Sequence, residues 1–294
     1  MRISIITINY NGSEKTVGLL KSLKAQTDPN FEIIVVDNAS DLNPMMGTFF
    51  KAELLRNDEN LGFSGGNNVG IRQALKSGSE WVILLNNDTW IEKDFMERLR
   101  TVLRGKEGVV GIPLNEGGGV AYYGEIQWLK PTLQHVYESG IWNLESGKSD
   151  SKFKIQNSRF YAIGAAIAIH KNVFEKIGLL DEKYFLYFED ADFSVRATKN
   201  KIPISIQYDI MIYHTVSAST KKLGSPLLLR YHYRNALYFN FKNGPWYIKL
   251  AVWPWSLLIA AKQVSKLVSK HNVEQSKAIL LGVIDFYKNK YGKI

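Results

Sequence analysis

The chain contains no cysteine among its 294 residues. This excludes disulfides and thiolate metal sites and is compatible with a reducing compartment. Its first residues, Met1-Arg2-Ile3-Ser4-Ile5-Ile6-Thr7, lack the apolar run and small-residue cleavage site of a secretory signal. A cytoplasmic protein is therefore expected. The uncharged stretch Leu250–Ala261 covers 12 residues, short of the roughly 20 that cross a bilayer as a helix. Zinc-finger spacing and basic heptads are missing, so nucleic acid is not an expected partner. No internal repeat is evident. Acids are scarce at one end only: residues 215–294 carry 13 Lys and Arg against 2 acids, whereas residues 1–214 carry 24 against 26. The overall balance is +9, and its asymmetry suggests two parts with different partners.

What is present is a globular composition, 45% hydrophobic and 22% charged. Ile3–Ile8, Phe31–Val36, Ala52–Leu55 and Trp81–Leu85 are short apolar runs of the kind buried on both faces of a parallel sheet. Helical spacing follows the first run (Val17, Leu20, Leu23), the third (Val69, Ile71, Ala74, Leu75) and the fourth (Asp94–Leu103). Strands alternating with helices predict βαβ units, with ligands beyond the carboxyl ends of the strands. Polar residues gather at those ends: Asp37, Asn60 and Asp88. Residues 115–158 break the rhythm and predict hairpins or an ordered insertion. Phe160–Ile169 is predicted as one more strand, whose Gly164-Ala165-Ala166 lets another group approach the backbone. Ile202–Gln207 and Met211–Tyr213 are strand-like, and the polar stretch Thr215–Ser225 is a candidate lid.

The most concentrated chemistry lies in Phe185-Leu186-Tyr187-Phe188-Glu189-Asp190-Ala191-Asp192-Phe193. Three carboxylates flanked by aromatics fit either the acidic first turn of a helix running Glu189–Lys199 or a general base at the mouth of an aromatic pocket. The glycine-rich Asn60–Asn68 precedes a helix and could cradle an anion, but matches neither a P-loop nor the full Rossmann pattern. Asn86-Asn87-Asp88 offers a hard oxygen ligand suited to Mg²⁺ or Mn²⁺, and His214 could add a nitrogen.

Together these segments resemble family 2 glycosyltransferases of the GT-A fold, in particular the bacterial rhamnosyltransferase-like branch. The resemblance spans residues 2–240. It is carried by Thr7-Ile8-Asn9-Tyr10-Asn11, Val35–Ser40, Asn60-Leu61-Gly62-Phe63, Gly66-Asn67-Asn68, Leu85–Asp88, Gly178–Glu182, Phe185–Asp192 with Arg196, His214 and Arg234-Asn235. It implies an α/β, Rossmann-like, mostly parallel sheet flanked by helices. It also implies inverting transfer of a sugar from a nucleotide-diphosphate donor, a dTDP- or UDP-sugar with dTDP-rhamnose among the candidates. The acceptor would be a glycan or lipid-linked glycan in bacterial cell-surface polysaccharide synthesis. Thr7, Tyr10 and Asp37, with Asn9, would meet the nucleoside, and Asn60 to Asn67 would border the donor. Asp88 and His214 would hold Mg²⁺ or Mn²⁺, and Asp190 would be the base, with Glu189 and Asp192 as competitors. Asn86 departs from the family's Asp-X-Asp at its first position. A sugar-phosphate nucleotidyltransferase is the second enzymatic reading, although Asn9-Tyr10-Asn11-Gly12 is not a Gly-rich turn ending in Arg or Lys. A non-catalytic sugar-nucleotide or glycan-binding protein is the third.

A catalytic domain is expected over residues 1–241 and a basic helical appendage over 242–294. In the appendage Lys262, Lys266 and Lys270 share one helical face and Val264, Leu267 and Val268 another, and Asn272 is placed as the cap of a last helix. Trp and Lys content predict peripheral attachment to the inner face of the cytoplasmic membrane, with a homodimer interface as the alternative.

Overall fold

The computed structural model describes residues 1–41, 51–137, 152–155, 159–214 and 225–294. Positions 215–224 of the expected lid lie outside them, as does most of 138–158. The central sheet contains eight strands: β1 (Ile3–Asn9), β2 (Glu32–Asp37), β3 (Glu53–Arg56), β4 (Trp81–Leu85), β6 (Val109–Gly111), β10 (Lys152–Ile155), β12 (Ala166–His170) and β13 (Ile204–Gln207). Their spatial order is β10-β13-β6-β12-β4-β1-β2-β3. The pairs β1/β2, β1/β4, β2/β3 and β6/β13 are parallel, and β12 runs antiparallel to both its neighbours. All five residues of β4 are buried, as a continuous apolar run at the middle of a two-sided sheet requires.

Helices α1 (Ser13–Lys24) and α3 (Phe95–Leu103) cover one face, packing Leu19, Leu20, Leu23, Met96 and Leu99 against Ile3 and Ile5. The other face, carrying Ile6, Ile34 and Val36, is covered by α2 (Gly62–Lys76) through Ile71 and Ala74. The glycine-rich segment is thus helix and not a loop ahead of one. Its glycines bring the helix down onto the sheet: a Cβ at Gly70 would stand 2.5 Å from Ile6 Cγ2.

A second sheet joins β11 (Phe160–Tyr161), β8 (Val120–Glu125), β7 (Leu114–Asn115), β14 (Ile212–His214) and β5 (Thr89–Trp90), with β9 (Gln134–Tyr137) paired to β8. The hairpins expected within 115–158 are present in β7/β8 and β8/β9. The single strand expected over Phe160–Ile169 is divided instead. β11 belongs to the small sheet and β12 to the central one, and the chain turns between them at Gly164-Ala165. After the short α4 (Lys171–Ile177), α5 runs over Glu189–Lys199, as the acidic first turn predicts.

The C-terminal part is three helices: α6 (Pro226–Asn243), α7 (Trp246–Val268) and α8 (Val273–Tyr287). They share Leu237, Val252, Ile259, Ile279, Val283 and Phe286 as a separate core. On its other side α6 gives Ala236 and Phe239 to the main core, so it crosses the boundary expected at 241/242. Asn272 does precede α8, but in a left-handed conformation and without a side-chain capping bond. Among the described residues no helix is long and apolar enough to cross a membrane.

Candidate active site

A cleft of about 290 Å³ opens beyond the carboxyl ends of β1, β2 and β4, where open α/β sheets bind ligands. Tyr10, Asn60, Asn67 and Asp88 line it, together with Asn38, Asn86, Asn87, Phe185 and Leu186. Asn60 Oδ1 accepts the Gly62 N–H at 2.8 Å, and Asn67 Nδ2 donates to the Phe63 carbonyl at 3.0 Å. Both asparagines therefore fix the first turns of α2 while bordering the cavity.

Thr7, Asn9 and Asp37 are brought to the same strand ends but do not line the cleft; all three are fully buried. Alternation along β1 explains the first two. Ile8 faces the cavity, while Asn9 reaches α1 on the opposite side, where its Oδ1 accepts from Thr16 Oγ1 at 2.9 Å. The register pairs Asn9 with Asp37, and Asn9 Nδ2 donates to Asp37 Oδ1 at 2.7 Å. Asp37 also accepts from Ser40 Oγ at 2.5 Å and from the Ser40 N–H at 3.1 Å, and it pairs with Arg56 at 3.3 Å. Asn87 Nδ2 donates to Thr16 Oγ1 at 2.9 Å, so one hydrogen-bonded chain runs under the cleft from β4 to β2. Thr7 Oγ1 has no hydrogen-bond partner among the described residues.

The two residues expected to hold a metal are adjacent. β14 pairs with β5 so that His214 stands opposite Thr89, and His214 Nε2 lies 3.1 Å from Asp88 Oδ1. A stack of Trp90 on Tyr213, with ring centroids 4.1 Å apart, braces this strand pair. Burial works to raise the Asp88 carboxyl, but the His214 hydrogen bond and charge, with Lys15 at 3.7 Å, hold it below its ordinary value. The same hydrogen bond raises His214. Lys15 was not legible as a site residue. One carboxylate and one imidazole suit Mg²⁺ or Mn²⁺ if waters and phosphate oxygens complete the shell. Among the described residues no group of three or more His, Cys, Asp or Glu side chains is placed to hold a metal ion.

The three candidate bases separate cleanly. Asp192 is fully buried and held by Arg196 (2.8 Å), Lys242 (2.7 Å), Asn243 (2.7 Å) and the Tyr184 hydroxyl (3.2 Å), so it is structural. Glu189 is buried with one carboxyl oxygen that has no partner among the described residues, and burial, then the neighbouring Asp190 charge, push it well above the usual carboxylate range. Asp190 is half-buried and accepts the Gly164 N–H at 2.9 Å. Burial raises its carboxyl, against the Gly164 and Ala191 amides that favour the ionised form. The small residues at 164–166 thus admit Asp190 itself: a Cβ at Gly164 would come within 3.0 Å of Asp190 Cβ. Because the Asn86 N–H donates to the Ala165 carbonyl at 2.9 Å, the turn that seats Asp190 is tied to the end of β4, two residues before Asp88.

The aromatic segment before α5 is held from behind. Phe185, Tyr187 and Phe188 have φ of 62°, 72° and 75°, a left-handed backbone that costs bulky residues energy. Asn235 Nδ2 donates to the carbonyls of Tyr184, Leu186 and Tyr187 at 2.9, 2.7 and 3.1 Å, and Arg234 donates to Tyr184 at 3.1 Å. At the cleft side the Phe185 carbonyl accepts the Phe63 N–H of α2 at 2.7 Å.

The sequence profile described as "Glycosyl transferase family 2" matches residues 4–178. A low-salt glycan biosynthesis hexosyltransferase, Agl10, of Haloferax volcanii is 26% identical over 99% of this chain and 92% of its own length. The dTDP-rhamnosyl transferase RfbF of Shigella flexneri is 24% identical over 96% and 94%. Among solved structures, the mannosyltransferase PcManGT from Pyrobaculum calidifontis, in complex with GDP-Man and Mn²⁺, superposes with a TM-score of 0.56 at 14% identity, over 98% of this chain and 88% of that one. S. aureus TarS 1–349 in complex with UDP-GlcNAc superposes with a TM-score of 0.54 at 15% identity, over 100% and 93%.

Proposed function

The chain belongs to glycosyl transferase family 2 and is a glycosyltransferase of GT-A fold, and from that premise we propose inverting transfer of a sugar from a nucleotide-diphosphate donor to a glycan or lipid-linked glycan. One observation carries this reading. A carboxylate–imidazole pair, Asp88 with His214, stands at the mouth of β4, and a separate half-buried carboxylate, Asp190, is tied to the same strand end through the Gly164-Ala165 turn. Inversion at an anomeric carbon asks for those two things: a base for the acceptor hydroxyl and a stabiliser of the leaving diphosphate.

In this reading the donor occupies the cleft, its nucleoside near Tyr10 and its diphosphate toward Asp88. Asn60 and Asn67 border it, and the buried Asn9–Asp37–Ser40 network, with Thr7, forms the floor beneath the nucleoside. Asp88 and His214 would hold a divalent ion, Mg²⁺ or Mn²⁺, which would neutralise charge on the departing diphosphate. Lys15, close to Asp88, adds positive charge at the same point. Asp190 accepts the proton of the acceptor hydroxyl as that oxygen attacks the anomeric carbon. Its raised carboxyl makes it a stronger base than an exposed aspartate. The relatives named for dTDP-rhamnosyl and hexosyl transfer support a hexose or deoxyhexose donor, and we place the enzyme at the cytoplasmic side of the membrane.

The test is Asp190→Asn assayed at saturating donor. Turnover falls by roughly 10²-fold or more, the scale of general-base loss, while the donor dissociation constant is unchanged. Near-normal turnover would assign the base elsewhere.

A further inference from the structure

α7 is packed with its more polar side inward. Ile248, Val252, Ser256, Ile259 and Gln263 are buried against α6 and α8, whereas Trp246, Leu250, Trp253, Leu257, Val264 and Val268 are exposed. The exposures are high for such side chains, 74% at Trp246, 68% at Leu257 and 80% at Val268. Steps of three, four and seven residues keep these six on one stripe of the helix, and its 23 residues extend about 35 Å. No charged residue falls on the stripe. Lys249 borders it on one side; on the other, exposed Tyr247 and Leu258 widen the apolar face before exposed Lys262 is reached. A helix in a globular protein ordinarily buries such a stripe, so an outward one marks an interaction surface.

The charge around the stripe selects its partner. Residues 242–294 carry 9 Lys against 2 acids, and both acids are already paired, Glu274 with Lys277 and Asp285 with Arg230. A second copy would bring two like-charged surfaces together, which opposes association. An anionic phospholipid surface is complementary: apolar side chains enter the acyl boundary, tryptophans sit at headgroup level and lysines meet the lipid charge. We infer that the outer face of α7 seats the protein on an anionic bilayer, with the helix lying in the plane of the interface. Seating is transmitted rigidly, because α7 and α8 pack on α6, whose Arg234 and Asn235 hold the segment leading to Asp190. The value of such an orientation rests on the lipid-linked acceptor proposed above; the binding itself does not.

The experiment uses the full chain and vesicles of phosphatidylcholine with or without phosphatidylglycerol. The protein co-sediments with the anionic vesicles at low salt and is partly released by high salt. Leu250→Glu combined with Leu257→Glu lowers that partition by at least roughly tenfold, while donor turnover with a soluble acceptor stays at the wild-type level. Since both leucines are exposed, the circular dichroism and melting temperature of the variant match those of the wild type. Binding that survives the double substitution overturns the inference, as does indifference of the intact protein to anionic vesicles. A solution dimer that the same substitution makes monomeric overturns it too, and assigns the stripe to a second copy. Loss of donor turnover in the wild type itself would count against the glycosyl-transfer reading and leave the vesicle result to be judged alone.

Discussion

Two adjacent carboxylates on the first turn of α5 are driven apart in role by their surroundings. Glu189 is the more deeply enclosed and has an oxygen without a partner among the described residues, so its neutral form fits the site better. A carboxyl whose folded value lies above its unfolded one stabilises the fold below the unfolded value, and that contribution is lost as pH rises through the folded value. Glu189→Gln is therefore expected to melt higher than wild type at pH 7 and to converge with it near pH 4. A lower melting temperature at pH 7 would mean that an ionised Glu189 has a stabilising partner. Asp190 has to be ionised to act as a base, and burial raises its carboxyl. The acid limb of the turnover profile is expected to fall at a higher pH than the ~4 of an ordinary aspartate, and Asp190→Asn should remove the limb together with the activity. The sequence singles out Asp190 as the candidate base, but nothing in it sets Asp192 aside. What distinguishes them is the Arg196, Lys242, Asn243 and Tyr184 cage around Asp192, contributed by positions up to 51 residues away in the chain.

At the scale of elements, α6 acts as the back wall of the site. Its Arg234 and Asn235 offset the cost of turning the Tyr184, Leu186 and Tyr187 carbonyls away from regular structure. Asn235→Ala removes the Asn235 donor from the Leu186 and Tyr187 carbonyls, whereas Tyr184 keeps Arg234; an unsatisfied group costs about 1–3 kcal/mol. Stability is expected to drop by about 2 kcal/mol, with turnover falling more than donor affinity because the loop leads directly into Asp190 on α5, while the nucleoside floor lies on β1 and β2. Equal losses in turnover and affinity would place the damage in the whole fold. Buried central strands and the amphipathic α1 and α3 could be read locally, since their patterns are confined to single segments. The small sheet could not: β5, β7 and β11 are two residues each, too short for any periodicity. Likewise the glycines of α2 resembled an anion loop in sequence, and only the proximity of β1 reveals them as packing positions.

For the molecule as a whole, the C-terminal region is no detachable tail. Lys242 bridges Asp181 and Asp192 at 2.7 Å each, and Arg234 Nη1 donates to the Gly292 carbonyl at 2.8 Å. Removing residues 242–294 would leave half-buried Asp181 and buried Asp192 without their lysine and uncover Leu237. The truncated protein is expected to be insoluble or to unfold well below the intact chain, which a melting curve or limited proteolysis would check. The charge asymmetry was visible in the sequence, whereas the inward side of α7 was not, because its buried Ser256 and Gln263 are less apolar than what it exposes. The central claim concerns the reaction of the intact molecule, and product analysis tests it most directly. The full-length protein is incubated with a panel of nucleotide-diphosphate sugars, with Mn²⁺ or with chelator, and the released nucleotide is identified. The account predicts a nucleoside diphosphate, released from one donor class in the presence of the metal and suppressed by chelator. Pyrophosphate release, or tight donor binding without turnover under every condition, would contradict it.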